Sequence, residues 1–136
     1  MARQANGRIL VAGRSSADGA VVARLRTNGT LDPAFDGDGT ATIDFGSLSD
    51  LASDAALQPD GKIVIVGDAQ ADDDVRVARL NADGSPDTTF GAAGKATVDF
   101  GLVTFANAVA LQPNGRIVVV GHRTGADDFA VARLLG

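Results

Sequence analysis

Leu57–Gly67 reads LQPDGKIVIVG, and Leu111–Gly121 reads LQPNGRIVVVG. A third version, RQANGRILVAG, spans Arg3–Gly13, so the turn glycines Gly7, Gly61 and Gly115 recur at intervals of 54 residues. Self-similarity at a fixed period is the signature of a repeat architecture and takes precedence over local propensity. Within each phrase a short β-branched run, Ile63–Val66 or Ile117–Val120, follows a Gln-Pro-Asp/Asn-Gly sequence. Pro presets φ and Gly tolerates positive φ, so each phrase predicts a tight hairpin. Its arms are Ala55–Gln58 with Lys62–Gly67, and Asn107–Gln112 with Arg116–Gly121. An uninterrupted β-branched run bounded by turns is the pattern of a strand buried on both faces.

Two further blocks follow the hairpin. VVARL (Val21–Leu25), RVARL (Arg76–Leu80) and AVARL (Ala130–Leu134) read as alternating strands. They are reached through the polar loops Asp68–Asp74 and His122–Asp128 in the later copies. Leu31–Gly46 (LDPAFDGDGTATIDFG) and Pro86–Gly101 (PDTTFGAAGKATVDFG) form the last block, with a turn at Asn81–Gly84 and a final strand near Lys95–Phe100. No segment sustains a 3.6-residue period, so no long helix is expected. The chain therefore divides into units of about 1–54, 55–108 and a partial 109–136, each read as a four-stranded antiparallel meander. Such a unit cannot bury both sheet faces alone. Stacking into propeller blades answers this best, with a β-sandwich or a solenoid as the alternatives.

The phrase LQPDGKIVIVG…VARLNADGSPDTTFG…VDFG resembles the delta-60 repeat family, found in tandem in large bacterial proteins, many of them surface-associated or secreted. The likeness runs through essentially the whole chain, although the first copy has Ala5 where the others carry Pro59 and Pro113. It implies a propeller-like repeat without assigned catalytic chemistry and an extracellular or cell-surface setting. A looser similarity links the units to NHL-type propeller blades.

Composition narrows the chemistry. Hydrophobic residues make up 45% of the 136 and charged residues 21%, which is a globular balance. There is no Cys, which excludes disulfides, thiol catalysis and thiolate-held metals, and a single His, His122. The net charge of −5 argues against nucleic acid and anionic membrane as partners. No apolar run approaches a bilayer span, and Met1–Gly7 lacks the pattern of a secretory signal. No nucleophile, zinc-protease or phosphate-loop motif occurs, so no enzyme and no cofactor are expected.

Asp36-Gly37-Asp38-Gly39, with Asp32 nearby, has the rhythm of a calcium loop, but the second copy carries Gly91-Ala92-Ala93-Gly94 there, so a plain turn is the expectation. Asp18, Asp72–Asp74 and Asp127–Asp128 share one loop position and read as a solvated acidic rim. His122 matches Asp68 and Arg14 and reads as loop surface. Asn107 and Gln112 are the nearest approach to a metal-binding set on first strands, which a metal-dependent propeller hydrolase would require. A glycan site is disfavoured by the absence of Trp and Tyr. Arg24, Arg79 and Arg133 recur, as do Asp44 and Asp99, which suggests cross-strand structural pairs Arg24–Asp44 and Arg79–Asp99. Arg133 then lacks a partner in its unit and is expected to be exposed or to meet another chain.

Propellers close with four blades or more, and this chain supplies at most three. The initial Met and the atypical first copy favour a genuine start over an excerpt of a longer array. The expected solution is a homo-oligomeric ring of six blades from two chains or nine from three. The expected role is a non-enzymatic scaffold or interaction surface for a protein or small ligand.

Overall fold

The computed structural model describes residues 1–16, 19–46, 50–69, 74–101, 104–124 and 128–136. These form three antiparallel sheets and, among the described residues, no helix. The first sheet contains β1 (Ala2–Arg3), β2 (Ile9–Ser15), β3 (Gly19–Leu25) and β4 (Thr40–Ile43). The second contains β5 (Asp50–Leu57), β6 (Ile63–Ala69), β7 (Val75–Leu80) and β8 (Lys95–Val98). The third contains β9 (Thr104–Leu111), β10 (Ile117–Arg123) and β11 (Asp128–Leu134). Within each sheet the strands are neighbours in chain order. The sheet boundaries fall ahead of the divisions at 54/55 and 108/109: β5 and β9 run across them, because the first strand of each sheet begins well upstream of its Gln-Pro turn.

The hairpin phrase folds as its residues dictate. Gln58 N–H donates to Lys62 O at 2.8 Å and Gly61 N–H to Gln58 O at 2.9 Å, with Gly61 at φ +87°. This is a three-residue loop closed by a glycine bulge. The first copy makes the same bonds from Gln4 to Arg8 around Ala5-Asn6-Gly7, so the missing Pro does not change the turn. The turns Arg26–Thr30 and Asn81–Ser85 repeat this geometry between the third and fourth strands.

The β-branched runs explain the stacking. In β6, Ile63 and Ile65 face the first sheet and pack with Leu10, Ala20, Val22, Phe35 and Ile43. Val64 and Val66 face the third and pack with Val109, Ile117 and Val119. All four β6 residues are fully buried, as expected of a strand covered on both sides.

Polar groups on the first and second strands tie neighbouring sheets together. A register shift between Ala52 and Asp54 leaves Ser53 bulged out of the β5–β6 ladder, and Asn107 is bulged at the same place opposite Val120/Gly121. Asp68 Oδ1 accepts from Ala106 N–H at 2.6 Å and Asp54 Oδ2 from Val109 N–H at 3.1 Å, both across to the third sheet. Burial pushes the Asp68 carboxyl above its ordinary value, against the pull of the Ala106 N–H and the Ser53 hydroxyl.

Candidate interaction site: the blade junction and its exposed copy

A recurrent side-chain constellation sits where the first sheet meets the second. Arg24, on β3 and 5% exposed, donates from Nε to Asp32 Oδ2 at 2.9 Å. Its guanidinium lies 4.8 Å from the centre of the Phe35 ring and also donates to Ala82 O, in the Asn81–Ser85 turn of the second sheet, at 2.6 Å. Asp36 N–H donates to Asp83 O in that same turn at 2.7 Å. Arg8 adds a second cation to Asp32 Oδ2 at 2.9 Å. Burial pushes the Asp32 carboxyl upward, but the Ala34 N–H and the charges of Arg24 and Arg8 together hold it below its ordinary value.

The second sheet builds the same constellation from the same repeat positions. Arg79 Nε donates to Asp87 Oδ2 at 2.7 Å, Lys62 Nζ reaches that oxygen at 2.8 Å, and the Arg79 guanidinium lies 4.7 Å from the centre of the Phe90 ring. Asp87 Oδ1 accepts from Thr89 N–H at 3.1 Å and from Thr89 Oγ1 at 2.6 Å. The Lys62 ammonium first, then Thr89 and Arg79, hold the Asp87 carboxyl far below the usual carboxylate range despite its burial.

The carboxylate partners of the recurrent arginines are therefore Asp32 and Asp87, which corrects the expected pairs Arg24–Asp44 and Arg79–Asp99. The register explains why. Ile43 pairs with Ala20 and Val98 with Val75, so Asp44 and Asp99 lie at the far ends of β3 and β7 from the arginines. Both are exposed and instead accept from the N–H groups of Gly46 and Gly101. The missed signal was present in sequence, since each Asp follows its Arg by eight residues and precedes a Phe by three.

Asp38 Oδ1 accepts from Thr40 N–H and Oγ1 at 2.7 Å each, and Asp36 takes φ +49° in the turn. Asp32 is turned to its arginines, and no group of three acidic or imidazole side chains among the described residues is arranged to hold a metal. His122 is exposed, its Nδ1 2.8 Å from Asn107 Oδ1 and its ring stacked on Phe105 at 5.3 Å. Gln112 shares with Gln4 and Gln58 a buried side-chain oxygen that has no hydrogen-bond partner among the described residues. Asp18, Asp72, Asp73 and Asp127 lie outside the described residues.

Arg133 stands where Arg24 and Arg79 stand, yet it is exposed. The whole outward face of the third sheet shows the same contrast. Phe129 is 73% and Val131 51% exposed, whereas their counterparts Val75 and Val77 are fully buried against the third sheet. On the opposite flank, Val11 is 38% exposed where its counterpart Ile65 is fully buried against the first sheet. Each sheet thus has a forward and a backward face. At both internal junctions the forward face of one sheet packs on the backward face of the next.

Short antiparallel meanders stacked face to face, with one buried Arg–Asp–Phe constellation repeated between them, are the blades of a β-propeller repeat protein. The chain belongs to the beta-propeller domain family DUF5122, described as a domain of unknown function, whose profile matches residues 4–35, 58–90 and 112–136. The matched stretches take in the hairpin and third-strand phrases of all three sheets, with Asp32, Phe35, Asp87 and Phe90 included. No curated protein matches the chain.

Proposed function

We propose that the chain is a non-enzymatic propeller module of the delta-60 type, a scaffold of bacterial kind that completes its ring by head-to-tail association of copies. The observation that carries this is the pair of end faces. The forward face of the third sheet (Val118, Val120, Phe129, Val131) repeats the positions by which the second sheet meets the third. The backward face of the first (Ile9, Val11, Ala23, Leu25) repeats those by which the second meets the first. One copy's third sheet can therefore receive another copy's first sheet as the internal junctions do. Such a heterologous contact closes when the rotation completes a circle, and two chains give six blades. Burying so apolar a face is also the physical remedy for its exposure.

A non-enzymatic role is supported by the polar groups themselves. His122 Nδ1 is engaged with Asn107 Oδ1, and the carboxylate of Asp68, 3.4 Å from Ser53 Oγ, is committed through its other oxygen to Ala106 N–H in the next sheet. Light scattering after size exclusion tests the assembly. The expected mass is about twice the 13.7 kDa of the chain. Val131→Asp is expected to return it to the mass of one chain with the strand circular dichroism retained, because Val131 is half exposed in the isolated chain. A wild-type protein that stays at the mass of one chain throughout the micromolar range overturns the ring of copies.

A further inference from the structure

The junction of the first two sheets is not filled along its whole length. A cleft of about 200 Å³ opens between the end of β4 in the first sheet and strands β7 and β8 in the second. Ile43, Ala78 and Leu80, all buried, and Pro86 make its walls, and the exposed residues Asp44 and Lys95 stand at its rim. The space is smaller than the roughly 300–1,000 Å³ that drug-sized ligands occupy, so it suits a small molecule.

Opposite charges meet at the rim. Lys95 reaches from β8 to donate through Nζ to the Asp44 carbonyl, which leaves two of its three ammonium donors. Asp44 Oδ1 accepts from Gly46 N–H at 2.7 Å, which leaves Oδ2 for a cationic group. Arg79 also borders the cleft, but its guanidinium is held by Asp87 and Phe90. The cleft thus offers one positive and one negative group above aliphatic walls.

Lys95 does not belong to the repeat. Asp44 recurs as Asp99, whereas the place of Lys95 holds Thr40 in the first sheet. The turn ahead of it differs as well. Ala92 N–H donates to Lys95 O at 2.8 Å and Lys95 N–H to Ala92 O at 3.2 Å, with Ala93 at φ +53° and Gly94 at φ +89°. Two successive positive φ values make a tight two-residue hairpin turn, which sets Lys95 at the start of β8. In the first sheet Asp38 instead accepts from Thr40. An alanine held in the left-handed region is the kind of local backbone cost that gathers at binding sites.

We propose that this cleft binds a free aliphatic amino acid. The α-carboxylate meets the Lys95 ammonium, the α-ammonium meets Asp44 Oδ2, and the side chain covers Ile43, Leu80 and Pro86. A zwitterion answers both rim charges at once, while a simple anion leaves Asp44 opposed and a simple cation leaves Lys95 opposed. The site lies inside one chain and stands apart from the ring of copies.

L-leucine titrated into the full chain, followed by calorimetry and by amide NMR signals, tests this. One-to-one binding is expected, with the shifts concentrated at Thr42–Asp44 and Ala78–Leu80. Isocaproate, which lacks the ammonium, and isoamylamine, which lacks the carboxylate, are each expected to bind about tenfold or more weakly. Lys95→Gln and Asp44→Asn are expected to weaken leucine by the same factor and to leave the unfolding midpoint nearly unchanged, since both side chains are exposed. The ligand series uses the unaltered chain, so it decides the question even where a substitution unsettles the fold. No saturable binding of leucine in the millimolar range overturns the proposal, as does equal binding of isocaproate or binding indifferent to both substitutions.

Discussion

Asp87→Ala is expected to lower the unfolding free energy by about 3–5 kcal/mol, the usual effect of removing one member of a buried ion pair. The size follows from what the carboxylate holds. It neutralises Arg79, which is 8% exposed and has its Nε 2.7 Å away, and it also holds the Lys62 ammonium. Its other oxygen closes the turn through Thr89. Truncation leaves a guanidinium charge buried against Phe90 without its counter-ion, which is worse than losing the bond itself. Urea denaturation at neutral pH measures the loss. Asp99→Ala, at the exposed position once expected to pair with Arg79, is expected to leave the midpoint nearly unchanged. Equal effects of the two substitutions would reverse the assignment of the pair.

The same carboxylate sets a pH dependence. Its folded pKa is depressed, so its contribution is fully present above the unfolded carboxylate value of about 3.9 and is lost as pH falls through the folded value below it. The destabilisation by Asp87→Ala therefore shrinks progressively as the medium is acidified below about pH 4. Asp68 acts with the opposite sign. Its folded pKa is raised by burial, so the folded state holds that proton more firmly, and the stability this gives is present below the unfolded value of about 3.9 and lost as pH rises from there through the folded value.

The β-branched runs and Gly turns were sufficient to read the strands and the stacking, because both depend on local pattern: period, turn residues and two-sided burial. The first strands are longer than their sequence pattern predicts. The hairpin arms at Ala55 and Asn107 extend back to Asp50 and Thr104. Their polar residues look like loop in sequence, yet in the fold they find partners. Phe45 N–H donates to Asp50 Oδ2 at 2.5 Å, Val109 N–H to Asp54, and Ser53 to Asp68. Those partners lie on another loop, strand or sheet, where a period-two pattern carries no information. The arginine of the constellation was legible from its recurrence. Its carboxylate was not, because two repeated Asp positions compete in sequence and only the antiparallel register decides between them.

Gly13, Gly67 and Gly121 hold one repeat position, and substituting them with Ala separates the effect of the strand from that of its neighbour. At Gly67 a Cβ would lie 1.8 Å from Leu51 O and 3.0 Å from the Phe45 ring, and at Gly121 it would lie 2.3 Å from Phe105 O. At Gly13 it would meet nothing within 4 Å. None of the three has positive φ, so backbone strain is not the discriminator. The difference is the first strand. β5 and β9 cross close over Gly67 and Gly121 beside their bulges, whereas β1 pairs only at Ala2 and Arg3 and leaves Gly13 uncovered. Gly67→Ala must push two backbones apart inside a sheet packed on both faces. It is expected to destabilise by about 3 kcal/mol, at the upper end of overpacking effects. Gly13→Ala restricts the unfolded chain without a clash and is expected to be neutral or stabilising by roughly 0.4–1 kcal/mol. Thermal and urea unfolding of the two variants in parallel reads both signs. If Gly67→Ala proves as harmless as Gly13→Ala, the close approach of β5 to β6 at the bulge is wrong. If Gly13→Ala destabilises as much as Gly67→Ala, a first strand covers β2 in solution as β5 covers β6.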